Sequence, residues 1–596
     1  MPDNARQSQD GKDILVMSVA MSLFLFLTFA ISTLSLLMRI PVTWVNAVIP
    51  FVISVAFVSR QSDRKASAVT TMILLLAGSV AFVSFYYDDS WDGNAYHKLS
   101  AGLIESGWNP IYQTFGQYAN ETGWFLRRDW DDADAGFYDG YPKASYLIGA
   151  SLYALTGFVE SGKAFTLVAL WGAVGSIAVF TREIGKISWR QSFFVALAVC
   201  CNPVTLTQIV TFMNDGLLTL LIFQTAFALT YIAIDSEGRY DRYAYGVVFL
   251  STTLALNLKF SAFLPLGTIF LVFLIFAIIS RRYGSHSDWT TGQSIKKAAA
   301  FFFVTVVCAT VVLGLTSYVH NSIFHQNPLY PMLGRTGATI VSVVIPPAYS
   351  ELTPIQQFGY SLFSRVENDP NMNSVAVKIP FSITQKEARS AVFGGSGRVA
   401  GWGIWFGGIL LLSITAYCLV ARSIPKRFNY AFLALLTVTV FPAFFVPAFN
   451  NARFWPLPLL IPPAVLFMFF VTDRAGRTGT LVATALLAAN LALPTAGMLL
   501  RTKQSWETRK QLELMAMWDS SVPQMAVSFG TPSPTLGKTI FNGLLFNVRD
   551  AGIHHYEQFR PGELIDLPGT IKEVDFSVSD TSPVKIQYVV PPSRAR

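Results

Sequence analysis

Apolar and polar segments alternate along most of the chain, and the apolar segments lack charged residues. A helix that crosses the hydrocarbon core of a bilayer needs about 17–25 residues. Thirteen segments reach or nearly reach that length. We therefore predict an all-α polytopic membrane protein with about thirteen transmembrane helices. The segments cover residues 14–38, 42–58, 66–87, 164–181, 191–213, 216–234, 243–258, 260–280, 298–319, 401–421, 428–449, 454–472 and 478–500.

The composition favours a membrane protein over a soluble one. Of the 596 residues, 52% are hydrophobic and only 13% are charged, and the mean hydropathy is +0.44. A soluble protein with so many hydrophobic and so few charged residues is implausible. All four cysteines lie inside apolar segments, so we expect no disulfide in the polar ones. The chain also has no CxxC or HExxH pattern, and no dedicated metal site is predicted.

The distribution of lysine and arginine predicts the orientation of the helices, because basic loops stay on the cytoplasmic side. With residues 1–13 in the cytoplasm, the inner loops hold 17 basic residues, whereas the short outer turns hold Arg39, Lys259 and Arg453. The inner loops account for the net charge of +8, so we expect no nucleic-acid partner. Three long segments then face outward, namely residues 88–163, 320–400 and 501–596.

The outer segments define the predicted domain plan. Residues 14–500 form the transmembrane domain, and residues 501–596 form a small α+β domain in which alternation from Val584 to Val590 predicts a strand. Counting residues 143–158 as a span would reverse every later loop, so we predict an interfacial helix on the outer membrane surface there. The lack of cysteines in the outer segments favours a bacterial inner membrane, with the functional side facing the periplasm.

The most informative polar stretch comes after the third apolar segment and contains Asp88, Asp89 and Asp92. Three unpaired acids at the bilayer centre would cost roughly 8–10 kcal/mol, so we expect them at the membrane surface. There they suit a site that binds a polar headgroup and transfers protons. The alternative is a solvated cap on a helix end.

Several short motifs lie at regular places relative to the predicted helices. The first outer segment contains Asp92-Gly-Asn-Ala-Tyr96, Ser106-Gly-Trp108 and Gly140-Tyr-Pro-Lys143, and later motifs are Asn214-Asp215, Lys259, Asn327-Pro-Leu-Tyr-Pro331, Arg398-Val-Ala-Gly-Trp-Gly403 and Ala452-Arg-Phe-Trp-Pro456. Together, over about residues 14–472, they resemble the GT-C superfamily of integral-membrane glycosyltransferases. The chain is similar in this respect to the protein O-mannosyltransferases and the aminoarabinose transferases of lipid A.

The resemblance implies a GT-C-like fold and the inverting transfer of a sugar from a polyprenyl-phosphate donor to a glycan, lipid or protein acceptor. It also implies that Asp92 is the catalytic base that takes a proton from the acceptor hydroxyl. The alternative for Asp92 is a helix N-cap. Many members have Asp-Glu at the catalytic position, whereas here Gly93 comes directly after Asp92. Asp88 and Asp89 are then candidates to supply the second carboxylate, to orient the acceptor, to hold a cation with the phosphate, or to cap the preceding span.

The predicted substrate-binding residues are mostly cationic or aromatic. The resemblance implies that Lys143, Lys259 and an arginine, Arg398 or Arg453, hold the donor phosphate. The alternatives are a snorkelling role for Lys143 and interface anchoring for the two arginines, whereas Lys259 must be paired or face a polar cavity. The remaining candidates are Tyr96, His97 and Asp215. The alternative for His97 is an ordinary hydrogen-bonded role, and the alternative for Asp215 is an N-cap. Cationic side chains can replace a metal, so Mg²⁺ or Mn²⁺ is optional and no cofactor is required.

Two other functions share some of these features. A transporter or flippase for a lipid-linked glycan would place ionisable residues well inside its helices, whereas here charges gather at the predicted outer ends. Arginine-rich outer loops would indicate a glycan polymerase or ligase with a pyrophosphate-linked donor, whereas the first outer segment is rich in acids. Glycosyl transfer is therefore the predicted activity, and membrane lipids surround the site.

Overall fold

The computed structural model describes most of the chain. The described ranges are residues 2–122, 138–234, 238–282, 292–332, 345–369, 371–392, 397–447, 449–473, 476–519, 525–533, 537–540, 543–554, 556–559, 572–579 and 582–589.

Helices form the body of the molecule. In chain order they are α1 (Pro2–Leu37), α2 (Val45–Gln61), α3 (Lys65–Ser84), α4 (Lys98–Glu105), α5 (Phe115–Thr122), α6 (Ala144–Thr156), α7 (Phe165–Gly185), α8 (Trp189–Cys200), α9 (Pro203–Gln208), α10 (Asp215–Ile234), α11 (Asp241–Leu256), α12 (Phe263–Arg282), α13 (Gly292–Val307), α14 (Tyr318–Phe324), α15 (Pro347–Ser350), α16 (Pro354–Leu362), α17 (Gln385–Val392), α18 (Phe406–Val420), α19 (Lys426–Val440), α20 (Ile461–Val471), α21 (Gly476–Asp519) and α22 (Leu544–Asp550). A π-helix (Gly93–His97) precedes α4, and a 3₁₀ helix (Val159–Ala164) precedes α7.

The helices are those of a polytopic membrane protein. Within the described ranges, seven helices are long and apolar enough to cross a membrane, and a pair bent by 50°, Lys296–Val312 with Gly314–Phe324, raises the number to eight if it is one span. Four further apolar helices are shorter. Each of the thirteen segments predicted as spans contains helix, although residues 191–213 break into α8 and α9 at Asn202 and Pro203. The total of thirteen spans stays a prediction.

Small residues allow the central helices to pack closely. In α7, Gly175 lies against α1, and a Cβ atom placed there would overlap the Ser18 hydroxyl. Gly172 of α7 likewise lies near Ser18 and Ser22 of α1. Such small contact residues are typical of helix pairs in membranes, where close van der Waals packing drives association. The α1–α7 pair is therefore one of the closely packed helix pairs of the bundle.

The helix predicted on the membrane surface lies inside the protein instead. Helix α6 begins directly after Lys143, and every residue from Ala144 to Tyr153 is buried. It packs against α1, α2 and α4. An interfacial helix keeps one face in water, so the prediction of a surface helix over residues 143–158 is wrong. The helix is short, and neighbouring helices supply its apolar surroundings in place of lipid.

The tail combines a long helix with a small sheet. Helix α21 passes through Arg501 and ends only at Asp519, so the backbone has no break at residue 500. Beyond it lies a sheet of five strands, β1 (Met525–Ser533), β2 (Gly537–Ile540), β3 (Tyr556–Phe559), β4 (Lys572–Ser579) and β5 (Ser582–Val589). Their order is β2-β1-β4-β5, with β3 also paired to β1. Strand β1 is parallel to β3 and β4 and antiparallel to β2, and β4 is antiparallel to β5.

Strand β5 confirms the strand predicted over residues 584–590, except that Val590 lies outside the described residues. The predicted boundary of an outer domain at residue 501, and the compartment of that domain, stay predictions.

Candidate active site

The three acids of the predicted motif lie in the segment after α3, and each has different partners. Asp88 is fully buried. Its Oδ1 accepts hydrogen bonds from the backbone and hydroxyl of Ser90 at 2.9 and 2.7 Å, and its Oδ2 accepts one from the backbone of Phe212 at 3.0 Å. Burial raises the pKa of Asp88, whereas the nearby Lys98 lowers it. Asp88 thus fixes the fold of this segment and joins it to the loop before α10.

Asp89 pairs with the long tail helix. The Arg501 Nε donates to Asp89 Oδ2 at 2.9 Å, and Arg501 Nη1 donates to the carbonyl oxygen of Thr207 at 2.6 Å. Both charged side chains are largely buried. Arg501 was not among the sequence candidates, because it is simply the first basic residue after a predicted span. Arg501 thus connects α21 to the acidic segment by an ion pair and to α9 by a hydrogen bond.

Asp92 faces a different arginine and keeps some exposure. Its Oδ2 accepts a hydrogen bond from Arg453 Nη2 at 2.5 Å, and its side chain is 18% exposed. It immediately precedes the π-helix, but its side chain makes no capping hydrogen bond among the described residues. The alternative role as an N-cap therefore does not apply in this conformation. Of the three acids, Asp92 has the most accessible side chain.

Asp215 is the centre of a cluster of four charged residues. Arg453 Nε donates to its Oδ2 at 2.8 Å, Gln208 Nε2 donates to the same oxygen at 3.1 Å, and Lys259 forms an ion pair with its Oδ1. We call Asp92, Asp215, Lys259 and Arg453 the central cluster. It contains two carboxylates and two cations, so its formal net charge is zero. The four residues come from four separate parts of the chain, and all four were sequence candidates.

Two cations of the central cluster retain donors for a ligand. Lys259 is 23% exposed, and its only hydrogen-bond acceptor in the described structure is Asp215. Arg453 uses Nε and Nη2 for the two carboxylates, and Nη1 has no acceptor among the described residues. An ammonium has three N–H donors and a guanidinium has five. The cluster can therefore bind an additional anion or hydroxyl without losing both carboxylates.

A cleft opens beside Arg453. It encloses about 420 Å³, counting the space open to solvent. Its walls include Thr207, Asn451 and three glycines of one loop, Gly397, Gly401 and Gly403. Gly401 and Gly403 have φ angles of +90° and +115°, a left-handed conformation that favours glycine. At Gly403 a Cβ atom would overlap the Asn490 side chain, so the bare backbone lets the loop pack closely against α21 beside the cleft.

Aromatic rings and a histidine flank Asp92. The His97 Nδ1 lies 2.9 Å from the Tyr146 hydroxyl and 3.3 Å from the Asn214 amide nitrogen. The ring of Tyr96 lies 4.2 Å from that of His97. Burial lowers the pKa of His97 to about 3, so its imidazole is neutral near neutral pH. Burial, reinforced by the nearby Asp92, raises the pKa of Tyr96. These side chains are hydrogen-bonding and stacking groups without charge.

Two predicted phosphate-binding residues do not join the central cluster. Lys143 is buried, and its Nζ donates to the carbonyl oxygens of Asp139 and Tyr141 at 2.7 and 2.9 Å. Burial lowers the pKa of Lys143 to about 7, although Asp139 opposes that shift. Arg398 is half-buried in the glycine loop of the cleft, and its backbone bonds to Glu367. In this conformation Lys143 stabilises its own loop, so direct phosphate binding by Lys143 has no geometric support.

A second group of charges lies behind the acidic segment. Lys98, Glu160 and Lys163 are fully buried and form ion pairs through Glu160. They were not among the sequence candidates. Their position beside apolar segments could have identified them, because charged residues there need partners. Among the described residues, no group of three or more His, Cys, Asp or Glu side chains could hold a metal ion.

Comparisons of the chain with protein-family models, with curated proteins and with solved structures yield no match.

Proposed function

We propose that this protein is a membrane glycosyltransferase of the GT-C type, which transfers a sugar from a polyprenyl-phosphate donor to an acceptor with inversion. The observation that supports this proposal is the central cluster, where an accessible carboxylate lies next to two cations with unused donors. A base and a phosphate-binding pair within one site are the two requirements of the reaction. The site would face the periplasm, as the distribution of basic residues predicts.

Arg453 and Lys259 are the proposed donor-binding residues. The phosphate of the donor would accept hydrogen bonds from Arg453 Nη1 and from the remaining protons of Lys259 Nζ. Asp215 holds both cations by ion pairs and would keep them oriented before the donor arrives. A phosphate at Arg453 would also compete with Asp92 for Nη2. Donor binding would thus release Asp92 from its ion pair.

The reaction then needs a proton transfer and one displacement. The acceptor hydroxyl gives its proton to Asp92 as its oxygen bonds to the anomeric carbon of the sugar. The bond between that carbon and the phosphate oxygen breaks, and the electron pair leaves with the polyprenyl phosphate. Negative charge grows on the leaving phosphate, where Arg453 and Lys259 would stabilise it. A divalent cation is therefore optional.

An apolar groove suits the lipid part of such a donor. It lies between α10, α12 and α19, encloses about 600 Å³ including open space, and is lined by residues such as Leu229, Phe273 and Leu435. Leu457 and Leu460, also in its wall, come shortly after Arg453 in the chain. A prenyl chain in a bilayer is already surrounded by lipid tails, so such a groove would select a lipid-linked donor by packing and shape and not by removal from water.

The proposal is tested by donor binding to the purified protein in lipid nanodiscs. Lys259→Met and Arg453→Gln should weaken binding of a polyprenyl-phosphate sugar about ten- to a hundredfold, because charge-assisted contacts contribute about 1.5–3 kcal/mol. Lys12→Met is the control, since Lys12 also pairs with a single aspartate, Asp63, which lies before α3 and not after it, where Asp92 lies. Donor affinity that is equal in all three variants would contradict the proposal.

A further inference from the structure

The tail returns to the helix bundle through α22. This seven-residue helix buries five consecutive residues, Leu544 to Val548. The ring of Phe546 lies against α4, where a Cβ atom on Gly102 would overlap it. The helix is therefore closely packed in the core, next to the segment that contains Asp92.

Asn547 completes the buried charge cluster. Its Oδ1 accepts a hydrogen bond from Lys98 Nζ at 2.7 Å, and its Nδ2 donates to Glu160 Oε1 at 2.8 Å. Lys98 Nζ and Glu160 Oε1 are themselves 3.1 Å apart, and both side chains are 0% exposed. A buried charge is costly unless its hydrogen bonds are satisfied. Without α22, Lys98 and Glu160 would each lose a partner.

The same cluster is bonded to the acidic segment on both sides of Asp92. Before Asp92, the backbone N–H of Asp88 donates to Glu160 Oε2 at 3.2 Å. After it, Lys98 comes directly after the π-helix Gly93–His97. The backbone N–H of Gly543 also donates to the carbonyl oxygen of Asn94, within the π-helix, at 3.0 Å. The π-helix next to Asp92 is therefore bonded to the tail at Asn94 and flanked by Lys98.

We propose that α22 is a positioning element for the site, and that Asn547 and Gly543 of the tail set the place of the π-helix and hence of Asp92 relative to Arg453. Asn547 acts through Lys98 and Glu160, and Gly543 acts through the Asn94 carbonyl. Displacement of α22 would shift the acidic segment relative to Arg453 and Lys259, to which neither Asn547 nor Gly543 is hydrogen-bonded in the described part of the chain. The part of this proposal that concerns turnover rests on the proposed function, but the part that concerns the acidic segment does not.

Hydrogen exchange of the full-length protein in nanodiscs tests the positioning directly. In Asn547→Ala, amides of residues 88–98 should exchange roughly ten- to a hundredfold faster, because hydrogen bonds to two buried charges are lost. Amides of α10 and α11 should not change. Asn46→Ala is the matched control, since Asn46 is equally buried and hydrogen-bonded but lies near the start of α2.

Gly543→Ala is the second variant and removes no side chain of the charge cluster. A Cβ atom there would come within 2.8 Å of the Asn94 carbonyl oxygen, so the tail or the π-helix must move. We expect faster exchange of residues 93–98 in this variant as well. Unchanged exchange of residues 88–98 in both variants, or a uniform increase over the whole protein, would overturn the proposal.

Measurements of kcat distinguish a failure of this positioning proposal from a failure of the proposed function. If both hold, Gly543→Ala should lower kcat about tenfold or more while the donor Kd stays within about twofold, since the variant leaves the side chains of Arg453 and Lys259 and their ion pairs with Asp215 unsubstituted. Faster local exchange in the variants, together with no transfer activity in the wild type, would refute the proposed function and support the positioning role. Faster local exchange with kcat unchanged would refute the positioning of Asp92.

Discussion

At the scale of single residues, the three neighbouring acids are distinguished by their partners. Asp88 is enclosed by N–H and O–H donors, Asp89 pairs with Arg501, and Asp92 shares Arg453 with Asp215. Full burial and three hydrogen bonds leave Asp88 no access to a substrate. Asp92 has the accessible carboxylate, so it is the strongest candidate for the base.

Glu160 should be the most sensitive buried residue for stability. Among the described residues, it is the acid that pairs with both Lys98 and Lys163, and all three side chains are 0% exposed. Glu160→Gln would leave two buried ammonium groups without their ion-pair partner, which typically costs about 3–5 kcal/mol. We expect a marked fall in the temperature of thermal unfolding in detergent or nanodiscs. Glu105→Gln, which breaks a partly exposed pair with Arg549, should have a much smaller effect, and equal shifts would contradict this expectation.

The sequence predicted part of the site at this scale. Asp92, Asp215, Lys259 and Arg453 could be selected because charged residues at the ends of apolar segments need partners. Gln208, Arg501 and Asn547 could not, because their roles depend on contacts between distant parts of the chain. Lys143 was selected by its motif, but its ammonium binds backbone carbonyls, a partner that no side-chain pattern reveals.

At the scale of elements, α22 should respond to pH through Asp550. The Asp550 carboxylate faces Tyr153 and the backbone N–H of Val159, with Arg549 and Glu160 nearby. Burial raises its pKa from 3.8 to about 6. The folded protein therefore binds the proton more tightly than the unfolded chain. This contribution to stability is fully present below about pH 4 and is lost as the pH rises through about 6.

Thermal unfolding from pH 4 to 7 tests that effect. As the pH rises, the unfolding temperature of the wild type should fall relative to that of Asp550→Asn, because Asp550 ionises in the wild type and the amide of the variant cannot ionise. A difference that is constant across this range would show that Asp550 does not titrate there.

Helix positions could be predicted from the sequence more reliably than helix surroundings. The thirteen apolar segments all contain helix, since an uncharged run of that length satisfies its backbone internally in lipid. For α6 the pattern correctly predicted a helix, but it predicted a place on the membrane surface, whereas the helix is buried in the protein. A short apolar helix can be covered by protein as well as by lipid. Strand β5 was predictable from alternation, but the order of the sheet depends on pairings between distant segments.

At the scale of the whole molecule, the orientation of the helix bundle in the membrane decides which compartment the central cluster faces. The excess of basic residues in alternate loops predicts that the end of the bundle with the central cluster faces outward. A reporter fused after Arg596 should then be active only in the outer compartment, and one inserted between residues 282 and 297 only in the cytoplasm. Both reporters active on the same side would contradict the predicted topology and with it the outward site.

The most direct test of glycosyl transfer uses Asp92→Asn in cells that lack the native gene. Asparagine is nearly isosteric with aspartate but cannot take the acceptor proton, so turnover should fall about 10²–10⁴-fold while expression and donor binding persist. Mass spectrometry of envelope glycans, lipids and glycoproteins should show a sugar addition that the wild-type gene restores and Asp92→Asn does not. Restoration by Asp92→Asn, or identical envelope spectra with and without the gene, would contradict glycosyl transfer with Asp92 as the base.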